Sequence, residues 1–204
     1  AKAGHAVVNA GNPDAAALAM RLPRDRVTTF ALGGEADLVP TDIQEEPFAA
    51  AFTLRGTRIR LNVPGRHNVA NALAAIGTAL AAGVAFDTAA AAIARYTGLK
   101  RRFDLVGEDG GVAVIDDFGH NPDKIAATLA TLHAFPGRLL VLFQPHGYGP
   151  LKTMRKELVE TFAQGLGPDD LLVLPDPVYQ GGTVSREVTS ADIVNDIAVS
   201  GGNA

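Results

Sequence analysis

Residues 114–123 are VIDDFGHNPD, an apolar run that stops at two adjacent acids shortly before a proline. Asn121 can cap the first turn of a helix here, and Pro122 suits the first helical position. The free backbone N–H groups of such a turn attract anions such as phosphate. The stretch therefore predicts a strand, a polar loop and a helix in succession, with its acids and its histidine on a rigid edge.

The composition is that of an ordinary globular protein. The 204 residues are 47% hydrophobic and 20% charged, and the net charge of −4 provides no basic surface for DNA or RNA. Cysteine is absent, which excludes disulfides, thiolate metal ligands and a cysteine nucleophile. The apolar run at 69–86 is mainly alanine, and its larger side chains recur at helical spacing, so we expect a buried helix and no membrane contact. We expect a cytoplasmic protein, and the abrupt start on a predicted strand is typical of a fragment.

Short apolar runs alternate with helical patterns along the whole chain. Predicted strands lie at 5–9, 27–32, 112–116, 138–143 and 170–174, a hairpin joins 48–54 to 57–63, and predicted helices lie at 14–21, 67–83, 87–96, 122–133, 151–164 and 190–198. The continuous apolar runs at 139–143 and 171–174 are typical of parallel strands that helices cover on both faces. The pattern predicts an α/β protein of two domains, the second being Rossmann-like with a mostly parallel sheet. Ligand loops are expected at the carboxyl ends of its strands.

Two segments could bind parts of a nucleotide. In 65–71, the side chains of His67, Asn68 and Asn71 lie on the first turn of a helix, away from its apolar stripe, and amides there can pair with a planar base. The alternative is that the asparagines only cap the helix and that the histidine is a surface residue. The basic run at 100–104 has guanidinium groups that match phosphate geometry, although most short basic runs are simply solvated.

The opening stretch combines several groups that could meet a substrate. Asp116 and Asp117 lie on alternate strand faces, so we expect one to be structural and the other to hold a ribose hydroxyl or a water-bound Mg2+. His120 is expected to contact a phosphate or an acyl phosphate. Asp123 and Lys124, in the first turn of the helix, are expected to contact substrate.

A further polar loop at 143–150, FQPHGYGP, follows a buried strand. The sequence GYGPLKT is superficially similar to a phosphate loop, but Leu151 stands where GxxxxGK[ST] needs a glycine. The chain contains no other Walker A pattern, no HExxH and no GxSxG. These absences disfavour an autonomous P-loop ATPase, a zinc protease and a serine hydrolase.

Four ordered motifs together resemble the Mur ligase family. They are GRHNVANALAAIGTALAAGV at 65–84, GLKRRFD at 98–104, IDDFGHNPDKIAATL at 115–129 and FQPHGYG at 143–149. The resemblance implies a three-domain enzyme of peptidoglycan synthesis, which uses ATP and Mg2+ to convert a carboxylate to an acyl phosphate that an amine then attacks. Residues 1–98 would be the last part of the central ATPase domain, without its P-loop. Residues 99–204 would be the C-terminal domain, incomplete at its end.

The resemblance also implies roles for individual residues. Near the nucleotide it places His67, Asn68 and Asn71 at adenine, and Arg102 with one of Asp116 and Asp117, of which we expect Asp116, at the ribose or phosphates. It places His120, Asn121 and Pro122 at the border of the γ-phosphate and amino-acid site. We expect His120 and Asp117 to be the catalytic groups there, with Asn121, Pro122, Asp123, His146 and Tyr148 as substrate contacts.

The chain also departs from the family pattern. Some relatives have HRYTR where this chain has HGYGP at 146–150, so two arginines expected to bind the amino acid's carboxylate are missing. Lys152 or Arg155 is the expected substitute. The family's phosphate loop, Mg2+ ligands and modified lysine lie upstream of this chain, so the chain alone is predicted to be inactive.

Three functions remain open at this point. The first is a fragment of a peptidoglycan-precursor ligase that joins an amino acid or peptide to a UDP-N-acetylmuramate-type carboxylate. The second keeps this mechanism for another substrate, as in folylpolyglutamate or cyanophycin synthetases. The third is a catalytically silent binding module, for which the missing arginines are the best argument.

Overall fold

Residues 4–178 and 185–201 are described by a computed structural model, which separates the chain into the units Ala1–Phe103 and Asp104–Ala204. The sequence predicts the division at residue 98. In the described part of the chain, no helix combines the length and the apolar character needed to cross a bilayer.

The first unit combines a parallel strand pair, an antiparallel sheet and helices. Its elements are, in chain order, β1 Ala6–Asn9, α1 Pro13–Ala19, β2 Val27–Phe30, β3 Thr41–Glu46, β4 Ala49–Leu54, β5 Thr57–Leu61, α2 Arg66–Ala81 and α3 Phe86–Ile93. Strands β1 and β2 pair in parallel, and β3, β4 and β5 form the antiparallel sheet. The predicted hairpin turns at Arg55 and Gly56, whose φ angles of 51° and 79° fit a two-residue type I′ turn.

Helix α2 buries the apolar stripe that the sequence predicts. Val69 and Leu73 are fully buried, and the helix contacts β1, β2 and β4. At Gly77 an added Cβ would lie 3.0 Å from Val7 and 3.2 Å from Leu38, so a larger residue would force these side chains to shift. The prediction of a buried helix at this position is confirmed.

The second unit begins with a hairpin and continues as alternating strands and helices. Its elements are β6 Asp104–Asp109, β7 Val112–Asp116, α4 Pro122–Leu132, β8 Leu140–Leu142, α5 Tyr148–Thr153, α6 Arg155–Gly165, β9 Leu171–Val173 and α7 Ser190–Val199. Strands β6 and β7 pair antiparallel, whereas β8 and β9 pair in parallel. The predicted α/β class is confirmed, and β8 and β9 have the predicted parallel arrangement.

The core of the second unit lies between its helices and one face of the β8–β9 pair. Leu158 and Phe162 of α6 are buried with Ile193 of α7, and α6 contacts both α4 and α7. The other face of the strand pair exposes 44–74% of the side chains of Leu140, Leu142, Leu171 and Val173. The sequence predicts that helices pack on both faces of these strands, but among the described residues they pack on only one face.

Three parts of the chain differ from the predicted element ranges. No range was predicted for β6, because the two apolar residues in DLVGED are adjacent and give no alternation. Strand β3 was not predicted, because TDIQEE is polar at five of its six positions and is mostly exposed. The single helix expected at 151–164 is two helices, which break at Met154, where φ is −99° and ψ is 13°.

Candidate functional site

The loop between β7 and α4 is built as the sequence predicts. Asn121 has an extended backbone, and its side chain accepts a 3.0 Å hydrogen bond from the N–H of Lys124. Pro122 opens the helix, where its missing N–H costs no hydrogen bond. The predicted cap is confirmed, and it fixes the direction in which the loop enters the helix.

Asp117 ties this loop to the helix. Its Oδ1 accepts a 2.7 Å hydrogen bond from the N–H of Gly119 and a 3.1 Å hydrogen bond from Oγ1 of Thr128, in the second turn of α4. Because Oδ1 is engaged within the loop, Asp117 positions its neighbours. The sequence predicts that one of the two adjacent acids is structural, and this geometry supports Asp117 in that role.

Asp116 ends β7 and stands directly opposite Asp104 of β6 in the register. Two like charges in a directly opposed cross-strand pair repel each other.

His120 has a defined ring orientation. Its Nδ1 lies 3.0 Å from the carbonyl oxygen of Phe118, and the two rings meet edge to face with centroids 5.3 Å apart. A carbonyl can only accept, so Nδ1 carries the proton in this bond, and in the neutral ring Nε2 has the lone pair. Nε2 of His120 can therefore accept a proton or a hydrogen bond from a ligand.

In the first unit, the amides at the start of α2 form a chain of hydrogen bonds. Asn71 donates through Nδ2 to Oδ1 of Asn68 at 3.2 Å, and Asn68 donates through Nδ2 to the carbonyl of Pro64 at 2.7 Å. The chain enters the helix through Gly65, whose φ of 88° favours glycine. His67 is half-buried beside these amides and Asn71 is exposed, so Asn71 presents its amide to solvent.

Arg102 lies in the short connection before β6. Its backbone N–H donates to the carbonyl of Leu99 at 3.1 Å, and its side chain is exposed. The flanking Arg101 and Phe103 have φ angles of 59° and 52°, which are uncommon for residues other than glycine.

The cations expected to replace the missing arginines are both engaged in ion pairs. Lys152 pairs with Glu187, and Nε of Arg155 donates to Oδ2 of Asp196 at 2.7 Å. Both cations line an open groove of about 510 Å3 together with Asp196. The hydrogen bond to Asp196 raises the pKa of Arg155, and the hydrogen bond from Lys152 lowers the pKa of Glu187.

The loop at 143–147 follows β8 and leads into α5. His146 is exposed, Tyr148 is half-buried, and the guanidinium carbon of Arg186 lies 6.0 Å from the centre of the Tyr148 ring. Thr128 and Arg186 are the two residues that sequence reasoning missed. No motif marks either one, because each is defined by a contact with a distant part of the chain.

The described residues lack a dense cluster of potential metal ligands. No group of three or more His, Asp or Glu residues there is arranged to hold a metal ion.

The geometry defines an α/β protein whose polar loops follow strand ends and lead directly into capped helices, as in ligand-binding α/β enzymes. Residues 1–79 match the Mur ligase middle domain, and residues 101–204 match the Mur ligase glutamate ligase domain. The chain belongs to the Mur ligase family.

Several relatives are similar over most of the chain. UDP-N-acetylmuramate--L-alanine ligase from Geobacter sp. (strain M21) is 38% identical over 180 residues, which are 84% of this chain and 38% of that relative. The ligase of the same name from Solibacter usitatus is 42% identical over 160 residues, which are 75% of this chain and 33% of that relative. The crystal structure of MurF from Acinetobacter baumannii is 25% identical with a TM-score of 0.73, over 85% of this chain and 39% of that protein. The chain thus spans well under half the length of these relatives.

Proposed function

We propose that this chain is part of an ATP-dependent ligase of peptidoglycan precursor synthesis, which acts in the cytoplasm. The enzyme would join an amino acid or peptide to the carboxylate of a UDP-N-acetylmuramate-type nucleotide. The observation that carries the proposal is the loop at 116–121, which lies within a long match to muramate–alanine ligases and holds an oriented histidine and two acids at a capped helix.

The reaction has two steps. The carboxylate attacks the γ-phosphate of ATP, which gives an acyl phosphate and ADP. The amine then attacks the carbonyl carbon; a C–N bond forms, the C–O bond to phosphate breaks, and inorganic phosphate leaves. The amine loses a proton during this second step, so the site needs a base as well as donors that stabilise the transferred phosphate.

The second unit, together with Arg102 at the end of the first unit, supplies groups for these steps in the proposal. His120 presents the lone pair of Nε2, which suits it to take the proton of the attacking amine. Asp117 holds the loop through Oδ1, and Asn121 and Pro122 set the entry to α4. The proposal assigns this entry to the phosphate. Asp116, with Arg102 before β6, is assigned to the ribose or the phosphates.

The first unit is assigned to the adenine. Asn71 is exposed, and its amide is held by Asn68, so it is oriented before a base arrives. An amide offers a donor and an acceptor side by side, which matches the edge of a purine. His67 is placed on the same turn and would lie against the base. We assign Mg2+ to the phosphates of ATP, with most of its protein ligands outside the described residues.

The amino-acid side of the site is assigned to Asp123, His146, Tyr148, Lys152 and Arg155. These residues follow β7 and β8 at their carboxyl ends, where α/β enzymes bind ligands. The ion pairs of Lys152 and Arg155 would have to open or be shared for either to bind a carboxylate.

The full-length protein that contains this chain provides the test. Phosphate release is measured with ATP, Mg2+, UDP-N-acetylmuramate and a panel of amino acids and peptides. We expect one acceptor to stimulate release, and His120→Gln to lower kcat by roughly 10²- to 10⁴-fold. His133→Gln is the matched control, because that histidine lies at the other end of α4 and bonds to the carbonyl of Gly165.

A catalytically silent module is the second candidate, since glycine and proline at 147 and 150 replace the expected arginines. If no acceptor stimulates phosphate release, the ligase proposal is wrong and the silent module is favoured. A polyglutamate or cyanophycin substrate is favoured if release depends on a glutamyl or aspartyl acceptor and not on a muramate nucleotide.

A further inference from the structure

A threonine in the second turn of α4 is joined to the loop that carries His120. Oγ1 of Thr128 donates a 3.1 Å hydrogen bond to Oδ1 of Asp117, which lies 11 positions earlier in the chain. Both residues are half-buried, so the bond is partly shielded from water. A hydrogen bond to a carboxylate is about twice as strong as one between neutral groups. Thr128 therefore connects the loop firmly to the body of the helix.

The helix is a rigid support for this bond. Ile125 and Leu129 of α4 are buried in the core of the second unit, and α4 packs against α6. Asn121 caps the first turn by accepting a 3.0 Å hydrogen bond from the N–H of Lys124. Because closely packed side chains hold the helix in place, they also fix the position of Oγ1 of Thr128 relative to the core.

Two further hydrogen bonds pass this position on to the imidazole. Oδ1 of Asp117 also accepts from the N–H of Gly119 at 2.7 Å, and the carbonyl of Phe118 accepts from Nδ1 of His120 at 3.0 Å. The first bond joins residues 117 and 119, and the second joins residues 118 and 120. A rotation of the Asp117 carboxylate would therefore shift the backbone turn that directs the ring of His120.

We infer that Thr128 is a positioning residue for the attack of the amine. This inference rests on the proposed ligase function, in which Nε2 of His120 takes the proton of the amine. Thr128 acts through Asp117, which holds the turn that directs the imidazole. Its hydroxyl therefore affects kcat, and it does not contribute to the binding of ATP or of the acceptor.

The test removes this hydroxyl and then restores it. It uses the full-length enzyme with the acceptor that stimulates phosphate release most. Thr128→Val is expected to lower kcat roughly 10- to 100-fold, with KM for ATP and for the acceptor within about twofold of the parent values. Thr128→Ser keeps a hydroxyl donor, so its kcat is expected to stay within about threefold of the parent value.

The same helix offers a matched control. Oγ1 of Thr131 donates to the carbonyl of Ala127 at 2.8 Å, and Thr131 is buried. Thr131→Val therefore removes a shielded hydroxyl from α4 by the same chemical change, and its kcat is expected within about twofold of the parent value. If Thr128→Val does not fold, Thr128→Ala removes the same hydroxyl with a better helix propensity, and the same loss of kcat is expected.

A double variant tests whether Thr128 acts through His120. In a His120→Gln background, Thr128→Val is expected to lower kcat by less than about threefold further, because residues that act as a unit are not additive. If the second substitution costs as much there as it does in the parent enzyme, the inferred role is wrong.

The remaining outcomes separate the inference from the proposed function. An unchanged kcat in Thr128→Val, or an equal loss of kcat in Thr128→Ser or Thr131→Val, would overturn the role of Thr128 while the ligase function stands. A parent enzyme that responds to no acceptor at all would overturn the function, and this inference with it.

Discussion

Replacing Gly119 by alanine should disturb the loop through one identifiable clash. The added Cβ would lie 2.9 Å from Oδ1 of Asp117, closer than Cβ atoms approach oxygens in real structures, and 3.7 Å from the backbone of α4. The carboxylate must move, yet it holds the N–H of Gly119 at 2.7 Å and Oγ1 of Thr128 at 3.1 Å. One bond to a charged acceptor is worth about 1.5 kcal/mol at the low end of its range. An alanine at a compatible φ returns about 0.5 kcal/mol by restricting the unfolded chain.

We therefore expect Gly119→Ala to lower the free energy of unfolding by about 1 kcal/mol. Gly107→Ala is the matched control, because an added Cβ there meets nothing within 4 Å, and it should be neutral or slightly stabilising. Urea unfolding of chain 1–204, followed by circular dichroism, measures both. In a Thr128→Val background, Gly119→Ala should lower the free energy of unfolding by roughly half as much. One of the two hydrogen bonds to Asp117 that the alanine would disturb is already absent there. Equal stability of the two alanine variants, or full additivity with Thr128→Val, would refute the assignment of Asp117 as the tie between loop and helix.

Three further predictions concern other parts of the chain. Burial raises the pKa of Asp170, but the N–H groups of Leu139 and Gly167 and the nearby His133 outweigh it and hold that pKa below its usual range. The ionised Asp170 therefore stabilises the fold fully above the unfolded pKa of about 3.9, and this stabilisation is lost as pH falls through the folded pKa. Asp170→Asn should weaken the fall in the free energy of unfolding at acid pH, measured by urea titration at several pH values. An unchanged fall would contradict the role of the Asp170 carboxylate. Asn71→Ala in the full-length enzyme should raise KM for ATP more than KM for the amino acid, and the reverse order in steady-state kinetics would count against the adenine site. The isolated chain 1–204 should bind ATP weakly by calorimetry, and micromolar affinity would mean that the nucleotide site is misplaced.

Helix caps, turns and helix faces are predicted correctly from the sequence where neighbouring residues determine them. The cap at Asn121 and Pro122 and the turn at Gly56 depend on neighbouring residues only, and all appear where expected. The buried face of α2 is predictable because its apolar residues, such as Leu73, recur at the spacing of one side of a helix.

Features that depend on distant contacts were not predictable from the sequence. Thr128 supports Asp117 across 11 positions, and Arg186 reaches Tyr148 from a different loop. The sequence does not indicate the helix break at Met154, since that position is neither glycine nor proline. The side-chain pattern of a helix also continues through it. The ion pairs of Lys152 and Arg155 likewise involve partners 35 and 41 positions away.

In the proposed function, the enzyme that contains this chain activates a carboxylate as an acyl phosphate before an amine attacks it. The most direct measurement uses UDP-N-acetylmuramate labelled with 18O in its carboxylate, with the full-length protein, ATP and the preferred acceptor. Because phosphate leaves with the oxygen that it took from the carboxylate, mass spectrometry should find one 18O in each inorganic phosphate and one in the amide product. Unlabelled phosphate, with both 18O atoms still in the recovered nucleotide, would contradict the account.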